Sequence, residues 1–300
     1  MLFLTEAEVR ELLPMPEAIR LMRMAFEAYG AGEAQNQSRR RLILPTGSVL
    51  HSLAGSFGAY FGTKFYSTHP KHGAHFLFAL YDAATAKPLA LMEANYLGQI
   101  RTGAASGYAT DLLASPDASV LGIIGSGFQA RTQAEAIRAV RPIREVRVWS
   151  RNAEKRKRFA AECKAVEAES AQAAVRGAQI VATATNAKDP VLEDAWIEPG
   201  VHINAMGSNI ANRRELPAEL VRRAGLVAVD SMEQAKIEAG DLILAEHWSN
   251  AVELKTLHRH YDPARITIFE SIGLGLEDVA AGGSVFEEAT KRKMGRPLYS

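Results

Sequence analysis

The chain of 300 residues has a single cysteine, Cys163, and no long apolar stretch. One cysteine cannot form an intrachain disulfide and excludes a metal cluster built from cysteines, so we expect a reducing, cytoplasmic setting. The apolar run Phe76–Tyr81 is far shorter than the ~20 residues that a membrane-spanning helix needs. Glu6 and Glu8 interrupt the apolar start of the chain, so no secretory signal is predicted.

The chain also lacks an excess of charge of either sign. Lys and Arg number 35 and Asp and Glu number 34, a formal net charge of +1. This balance argues against a strongly basic surface, so neither nucleic acid nor a membrane is predicted as a partner. Apolar residues make up 47% of the chain and charged residues 23%, which is typical of globular proteins. At ~150 residues per domain, we expect two domains.

The two parts of the sequence differ in their patterns. Short aliphatic and aromatic runs over residues 40–94 predict an antiparallel or mixed sheet. The Ala-rich stretch Asn95–Ala114 predicts one long helix. After it, apolar strands such as Val120–Ile124 and Val146–Trp149 alternate with helical segments. That alternation predicts an α/β domain with a parallel, doubly wound sheet.

A glycine-rich turn follows the strand Val120–Ile124. The sequence Gly125-Ser-Gly127-Phe-Gln-Ala130 has the spacing Gly-x-Gly-x-x-Ala and leads into a helix. Such a turn brings the backbone and the helix N-terminus close to a pyrophosphate. We therefore predict a dinucleotide site, with an ordinary tight turn as the alternative. The predicted contacts are Gly125, Ser126, Gly127, Phe128 and Gln129.

The end of the second strand of this domain indicates which dinucleotide is bound. An NAD site usually has an acidic residue there for the ribose 2′-hydroxyl, but the strand ends with Trp149-Ser-Arg-Asn152. The hydroxyl of Ser150 and the guanidinium of Arg151 suit a 2′-phosphate. NADP(H) is therefore favoured and NAD(H) is the alternative, in which case Arg151 is a solvated surface residue.

Motifs spread over nearly the whole chain resemble those of the ornithine cyclodeaminase/μ-crystallin family. They are Phe61-Gly-Thr-Lys64, Ile100-Arg-Thr-Gly-Ala-Ala-Ser106, Ile123-Ile-Gly-Ser-Gly-Phe-Gln-Ala-Arg-Thr-Gln133, Val181-Ala-Thr-Ala-Thr185, Val201-His-Ile-Asn-Ala-Met-Gly207, Arg214-Glu-Leu216 and Glu270-Ser-Ile-Gly273. Each motif alone is modest, and their combination is specific.

The resemblance implies a homodimer with a split architecture. Residues 1–115 and 280–300 would form an α+β domain for substrate binding and dimerisation, and residues 116–279 would form an inserted Rossmann domain. Family members include ornithine cyclodeaminase, alanine dehydrogenase, cyclic ketimine reductases and μ-crystallin. All of them use a nicotinamide cofactor to move a hydride at the carbon that bears an amine or imine.

The resemblance also assigns roles to single residues. Arg41 matches the arginine that binds the substrate carboxylate. Lys64 matches the active-site lysine, which lies near the substrate and can hydrogen-bond to it or pass a proton. Arg101 and Thr102 match a pair that reaches the cofactor phosphates and the substrate. The alternatives are a strand-edge charge at Arg41, an exposed strand lysine at Lys64 and a helix-surface charge at Arg101. The further implied cofactor contacts are Thr183, Ala184, Met206, Ser208 and Gly273.

Asn209 departs from the cyclodeaminase pattern, which has an aspartate at this position. An asparagine can orient an amine or a water molecule but cannot accept a proton as a base. Asn209 is therefore included among the catalytic candidates with Arg41 and Lys64, the alternative being a simple turn residue. This departure disfavours ornithine cyclisation with loss of ammonia.

These observations predict an NAD(P)H-dependent oxidoreductase of small α-imino or α-amino acids, with cyclic ketimine carboxylates as the favoured substrates. Two alternatives stay open. The first is an ornithine cyclodeaminase, a lyase that holds NAD. The second is a μ-crystallin-like protein that binds NADPH without turnover. No metal is predicted: His69, His72 and His75 stand close together with no carboxylate among them, and a place in the substrate pocket is favoured for His69 or His72.

Overall fold

The computed structural model describes residues 1–207, 209–259 and 261–298. The strands are β1 (Leu2–Leu4), β2 (Gln35–Ile43), β3 (Val49–Phe57), β4 (Tyr60–His69), β5 (Gly73–Asp82), β6 (Pro88–Glu93), β7 (Val120–Ile124), β8 (Glu145–Trp149), β9 (Val166–Glu167), β10 (Ile180–Thr183), β11 (His202–Ala205), β12 (Leu226–Val229), β13 (Ala251–Glu253), β14 (Thr267–Glu270) and β15 (Arg296–Pro297). The helices are α1 (Glu6–Leu12), α2 (Met15–Ala31), α3 (Asn95–Leu113), α4 (Phe128–Val140), α5 (Ala153–Cys163), α6 (Ala171–Val175), α7 (Ala218–Arg223), α8 (Met232–Glu238), α9 (Gly240–Ala245) and α10 (Gly275–Arg292).

The chain divides into two compact units. The first comprises Met1–Thr102 and the segment from Gly273 onward, and the second is Gly103–Ile272. Both divisions lie earlier in the chain than the expected ones after residues 115 and 279. The first division falls within α3, because that helix is continuous from residue 95 to residue 113. The second precedes α10, so the whole of that helix belongs to the first unit.

The first unit contains a mixed sheet of seven strands in the order β15-β1-β6-β5-β4-β3-β2. β1 is parallel to β6, and the remaining neighbours are antiparallel. The pattern of residues 40–94 predicted this kind of sheet. A shift in register between Gln37 and Arg40 interrupts the pairing of β2 with β3, so β2 forms an irregular edge.

Helix α10 packs closely on β3 through two glycines. A Cβ atom on Gly55 would lie 2.5 Å from the backbone nitrogen of Leu276, and one on Gly275 would lie 2.5 Å from the carbonyl carbon of Ala54. Real Cβ atoms do not approach so closely, so both positions require glycine. The contact brings the first turn of α10, with Glu277 and Asp278, onto the sheet.

The second unit contains a parallel sheet of eight strands in the order β13-β12-β14-β11-β10-β7-β8-β9. The order of the strands along the chain reverses between β7 and β10. Open α/β sheets bind their ligands at such a reversal. Apolar cores cover both faces: Ile203 and Val227 belong to one core, and Ile123 and Val148 to the other. Among the described residues, no helix is both long and apolar enough to cross a membrane.

Candidate active site

A buried group of four ions lies in the first unit. The Nζ atom of Lys64 on β4 donates to Oδ1 of Asp278 at 2.8 Å. Arg101 on α3 donates from Nε to the same oxygen at 3.0 Å and from Nη1 to Oε2 of Glu277 at 2.8 Å. All four side chains are buried. Two cations and two carboxylates thus compensate one another away from water.

The surroundings of Lys64 make its proton easier to remove. Burial and the nearby positive charge of Arg101 lower the pKa of Lys64 to about 8, against the opposing effect of Asp278. Burial raises the pKa of Glu277, and Arg101 opposes that rise. A lysine whose pKa lies near neutral pH is suited to give or accept a proton at that pH.

Gly273 lies against this ion group in the first unit. A Cβ atom at this position would be 2.3 Å from Nη1 of Arg101, and the carbonyl oxygen of Gly273 accepts from Nη2 of Arg39 at 3.3 Å. Arg101 and Arg39 are therefore two of the neighbours of Gly273. Thr102, the neighbour of Arg101, donates its hydroxyl to the carbonyl oxygen of Gly98 one helical turn earlier, at 2.8 Å.

Arg41 belongs to a row of side chains that crosses the same sheet. It pairs with His51 on β3, and His51 pairs with Tyr66 on β4. Tyr66 is two residues from Lys64, so both side chains point to the same face. The ring of His51 stacks on Tyr66 with centroids 4.2 Å apart, and its Nε2 atom lies 3.0 Å from Oγ1 of Thr68.

His51 is a residue that the sequence analysis missed. Burial, together with the positive charge of Arg41, lowers the pKa of His51 to about 4, so the ring is neutral at pH 7. It is buried and lies on the same face as Lys64. The signal that could have revealed it is the alternation of β3, which places His51 on the same face as buried Leu53.

The glycine-rich turn in the second unit has the geometry that its sequence predicted. Gly125 has a φ of +118°, and a Cβ atom there would lie 2.3 Å from the carbonyl oxygen of Ala184. Gly127 is the N-cap of α4, and a Cβ atom there would meet no atom within 4 Å. Phe128 is 68% exposed and Gln129 is half-buried. The turn thus has open space beside Gly127 at the N-terminus of a helix, which suits a pyrophosphate.

Polar and cationic side chains surround this turn. The hydroxyls of Ser126 and Ser150 lie 2.8 Å apart, and Arg151 is exposed at the end of β8. Two further arginines were not predicted: Arg131 donates to the carbonyl oxygen of Gly127 at 3.0 Å, and Arg156 donates to that of Ser150 at 2.7 Å. The helical position of Arg131, four residues after Gly127, was the available signal.

The predicted cofactor contacts Thr183, Ala184 and Met206 lie at the ends of β10 and β11, and the catalytic candidate Asn209 is further along the loop after β11. Thr183 is fully buried and donates its hydroxyl to Oε2 of Glu215 at 2.8 Å. Ala184 and Asn209 are half-buried, and Met206 is 8% exposed. Ser208 lies outside the described residues.

The three neighbouring histidines occupy β4, β5 and the turn between them. The rings of His69 and His72 lie 4.6 Å apart, and Nδ1 of His69 accepts from the backbone of Lys71. Across the described parts of the chain, no three His, Cys, Asp or Glu side chains are arranged to hold a metal ion.

One unit has the doubly wound sheet of a dinucleotide-binding domain, and the other is an α+β unit with a buried lysine. Together these features define a class of nicotinamide-dependent enzyme. Comparison of sequences places the chain within that class. The profile of the Ornithine cyclodeaminase/mu-crystallin family matches residues 1–293. The chain belongs to this family.

Similar proteins include reductases, dehydrogenases and a probable ornithine cyclodeaminase of Bordetella pertussis, which is 30% identical with a TM-score of 0.92 over 99% of this chain and 100% of that chain. A Delta(1)-pyrroline-2-carboxylate reductase of Bacillus cereus is 33% identical over 99% of this chain and 99% of that protein. The structure of Thermococcus litoralis Delta(1)-pyrroline-2-carboxylate reductase in complex with NADH and L-proline is 30% identical, with a TM-score of 0.93 over 99% of this chain and 100% of that chain. An archaeal alanine dehydrogenase, a dimer with bound NAD, is 31% identical, with a TM-score of 0.93 over 100% and 99% of the two chains.

These similarities confirm the predicted family and the α/β fold class. They also confirm the predicted class of enzyme, an NAD(P)-dependent oxidoreductase of imino or amino acids. The individual site residues and the choice between NADP(H) and NAD(H) stay predictions.

Proposed function

We propose that this chain reduces small α-imino acids, foremost cyclic ketimine carboxylates such as pyrroline-2-carboxylate and piperideine-2-carboxylate. The observation that carries the proposal is the buried ion group around Lys64, whose pKa is lowered to about 8. A buried lysine that can release its proton near neutral pH matches what imine reduction requires. The names of the relatives, which include two pyrroline-2-carboxylate reductases, support the same substrate class.

The residues of the first unit would bind and protonate the substrate. Arg41 would hold the carboxylate, because a planar guanidinium can donate two parallel hydrogen bonds to it. Lys64 would donate a proton to the imine nitrogen as the neighbouring carbon becomes tetrahedral. Asp278 would hold the Nζ atom in place through the 2.8 Å hydrogen bond that it accepts. From the second unit, Asn209 would orient the nitrogen of the substrate without acting as a base.

The residues of the second unit fit a nicotinamide dinucleotide. The open space at Gly127 and the N-terminus of α4 suit its pyrophosphate. When bound, the dinucleotide supplies the hydride that the imine carbon accepts. NADP(H) is the favoured form, since β8 ends with Ser150 and exposed Arg151 and without an acidic residue.

The preference for NADP(H) is tested by Arg151→Asp. We expect the ratio of kcat/KM with NADPH to kcat/KM with NADH to fall by about tenfold or more, because a carboxylate repels a 2′-phosphate. Arg158→Asp is the matched control, since it makes the same change of charge on the exposed surface of α5. An unchanged ratio in Arg151→Asp would refute this assignment.

The substrate class is tested with preformed cyclic ketimines and with keto acids mixed with ammonia or methylamine, following the absorbance of NADPH. We expect the ring ketimines to be turned over fastest. Ammonia release from ornithine with no net change in NADPH would instead establish the lyase. Binding of NADPH without turnover of any compound would establish a binding protein.

The role of Lys64 is tested in the same assay. Lys64→Ala should lower kcat by about a hundredfold or more, the usual effect of removing a general acid. Lys87→Ala removes an exposed lysine of the same unit and should leave the rate unchanged. Equal ketimine reduction by wild type and Lys64→Ala would show that Lys64 has no chemical role.

We also propose that the chain forms a homodimer in the cytoplasm. The single cysteine suits a reducing compartment. The dimeric state of the archaeal alanine dehydrogenase supports the dimer. The edge of the first sheet adds a physical reason, because Leu42 and Ile43 on β2 are 61% and 69% exposed. Adjacent exposed apolar side chains on an edge strand are typical of a contact surface.

A further inference from the structure

Glu215 is a fully buried carboxyl group of the second unit that the proposed reaction does not use. Its Oε1 atom accepts from the backbone nitrogen of Thr185 at 2.7 Å. Its Oε2 atom accepts from the backbone nitrogen of Gly207 at 2.7 Å and from the hydroxyl of Thr183 at 2.8 Å. Each carboxyl oxygen thus binds a different backbone segment.

The donors belong to the carboxyl ends of two neighbouring strands. Thr183 ends β10 and Thr185 follows it. Gly207 follows β11, and Thr183 and Ala205 are paired across the sheet. Ligands of open α/β sheets bind outside the carboxyl ends of the strands. Glu215 therefore joins two of the loops that border the dinucleotide site of the proposed function.

Close contacts extend this link to the glycine-rich turn. A Cβ atom on Gly207 would lie 2.2 Å from the carbonyl oxygen of Thr185 and 2.6 Å from Oε2 of Glu215. On the other side of the same loop, a Cβ atom on Gly125 would lie 2.3 Å from the carbonyl oxygen of Ala184. The segment 184–185 is therefore packed between Gly125 and Gly207 and hydrogen-bonded to Glu215, so we expect a shift at Glu215 to be transmitted to it.

Glu215 is itself held from the opposite side. Oδ1 of Asp241 accepts from the backbone nitrogens of Glu215 and Leu216 at 2.8 and 2.7 Å. The carbonyl oxygen of Glu215 accepts from the backbone nitrogen of Val191 at 2.8 Å. Both the side chain and the backbone of Glu215 are therefore fixed, which a rigid support for neighbouring loops requires.

We propose that Glu215 is a positioning residue of the dinucleotide site, which sets the spacing of the loops after β10 and β11 and, through them, the position of the turn at Gly125. It acts through Thr185 and Gly207 and has no contact with reacting atoms. This inference rests on the proposed function, since it assumes that the turn binds a nicotinamide dinucleotide.

The test is Glu215→Gln. A glutamine can accept one of the two backbone N–H groups with its oxygen, but its NH₂ group cannot accept the other. We expect the Kd for NADPH, measured by its fluorescence at 25 °C, to rise by about tenfold or more, the effect of losing a charge-assisted hydrogen bond. The KM for the imine at saturating NADPH should change much less. Glu219→Gln, at an exposed position of α7, is the matched control and should leave both constants unchanged.

Thr183→Val is a milder second variant, because it removes one donor to Glu215 and keeps both backbone bonds. We expect an intermediate rise in the Kd for NADPH, about threefold. A wild-type Kd in Glu215→Gln would overturn the proposal, even if thermal unfolding shows a lower Tm. Equal rises in the KM for imine and in the Kd for NADPH would also overturn it. Absence of dinucleotide binding by the wild-type chain would instead overturn the proposed function.

Discussion

Lys64 is an ammonium group that is almost completely removed from water, and its partners determine how it behaves. Burial alone disfavours the charged form, and the guanidinium of Arg101 adds to that effect. The carboxylate of Asp278 opposes both. Asp278 therefore holds the Nζ atom and also keeps the pKa of Lys64 from falling further.

The pH dependence of imine reduction tests this balance. Lys64 must carry a proton to donate it, so kcat/KM should fall above about pH 8. In Asp278→Asn the carboxylate that favours the ammonium form is absent, and we expect the alkaline limb to move to lower pH. Glu33→Gln, which removes an exposed carboxylate of the same unit, should leave the limb in place. A limb that stays unchanged or moves to higher pH in Asp278→Asn would contradict the role of Asp278.

The burial of His202 on β11 should make the second unit sensitive to acid. His202 is fully buried, with Nδ1 2.9 Å from Oγ1 of Thr267, and burial lowers its pKa to about 3. The unfolded chain binds a proton at this residue from about pH 6.5 downward, whereas the folded chain binds none until about pH 3. The free energy of unfolding should therefore fall as the pH is lowered, with a contribution from His202 of up to ~1.4 kcal/mol per pH unit.

Urea unfolding of His202→Asn at several pH values between 6.5 and 4 measures this contribution. We expect a shallower fall in the free energy of unfolding than in the wild type, since the variant has no imidazole to protonate. His258→Gln replaces an exposed histidine and should keep the wild-type slope. If the free energy of unfolding of His202→Asn depends on pH as steeply as that of the wild type, groups other than His202 cause the sensitivity to acid.

At the scale of elements, the docking of α10 on β3 places Glu277 and Asp278 in the ion group. Gly275→Ala would add a Cβ atom 2.5 Å from the backbone of Ala54, so the helix would have to move away from the strand. We expect the free energy of unfolding to fall by roughly 1–3 kcal/mol, the usual cost of overpacking, and kcat to fall as Asp278 shifts. Ser284→Ala, later in the same helix, is the control for both measurements. Wild-type kcat in a folded Gly275→Ala would show that Asp278 tolerates the displacement.

The helices and strands show how much of the fold and of the candidate site could be predicted from the sequence. The longer strands of both sheets and the helix α3 follow from alternation, periodicity and the prolines and glycines at their ends, which are local signals. The strands β1, β9, β13 and β15 have only two or three residues each and were not predicted. The acidic pair at Glu277 and Asp278 could not be predicted in the same way. Acidic residues in the first turn of a helix are ordinary capping residues, and Glu277 does accept from the backbone nitrogen of Leu274. Their burial depends on β3, more than 200 residues earlier in the chain.

The same limit applies to Glu215 and Gly273. Glu215 was part of a recognised motif, but its three donors lie at or just after the ends of two separate strands, and no local spacing predicts them. The contact of Gly273 with the cofactor stays a prediction, and no local spacing indicated that Gly273 lies against Arg101 and Arg39. A sequence pattern identifies residue types that suit a site, and the packing of distant segments decides what each of them contacts.

At the scale of the whole molecule, the first unit is built from both ends of the chain. β1 pairs with β15, and α10 returns to the sheet of β2–β6. The edge of this sheet at β2 bears Leu42 and Ile43, and Leu50 on β3 pairs with Leu42 and is also exposed. An edge strand with exposed apolar side chains is prone to pair with another chain unless it is covered. A second copy of the same chain can cover it symmetrically.

The proposed homodimer therefore predicts a defined effect of charge at this edge. Leu42→Lys combined with Ile43→Lys should convert the dimer to a monomer, because burying two unpaired ammonium groups in an apolar contact costs more than the contact stabilises. Sedimentation velocity or light scattering over a range of protein concentrations measures the mass directly. Val166→Lys, which adds a lysine to β9 at the edge of the other sheet where Val166 is 60% exposed, should leave the mass unchanged. A wild-type chain that is monomeric at all concentrations, or a double variant that stays dimeric, would show that β2 is not the dimer contact.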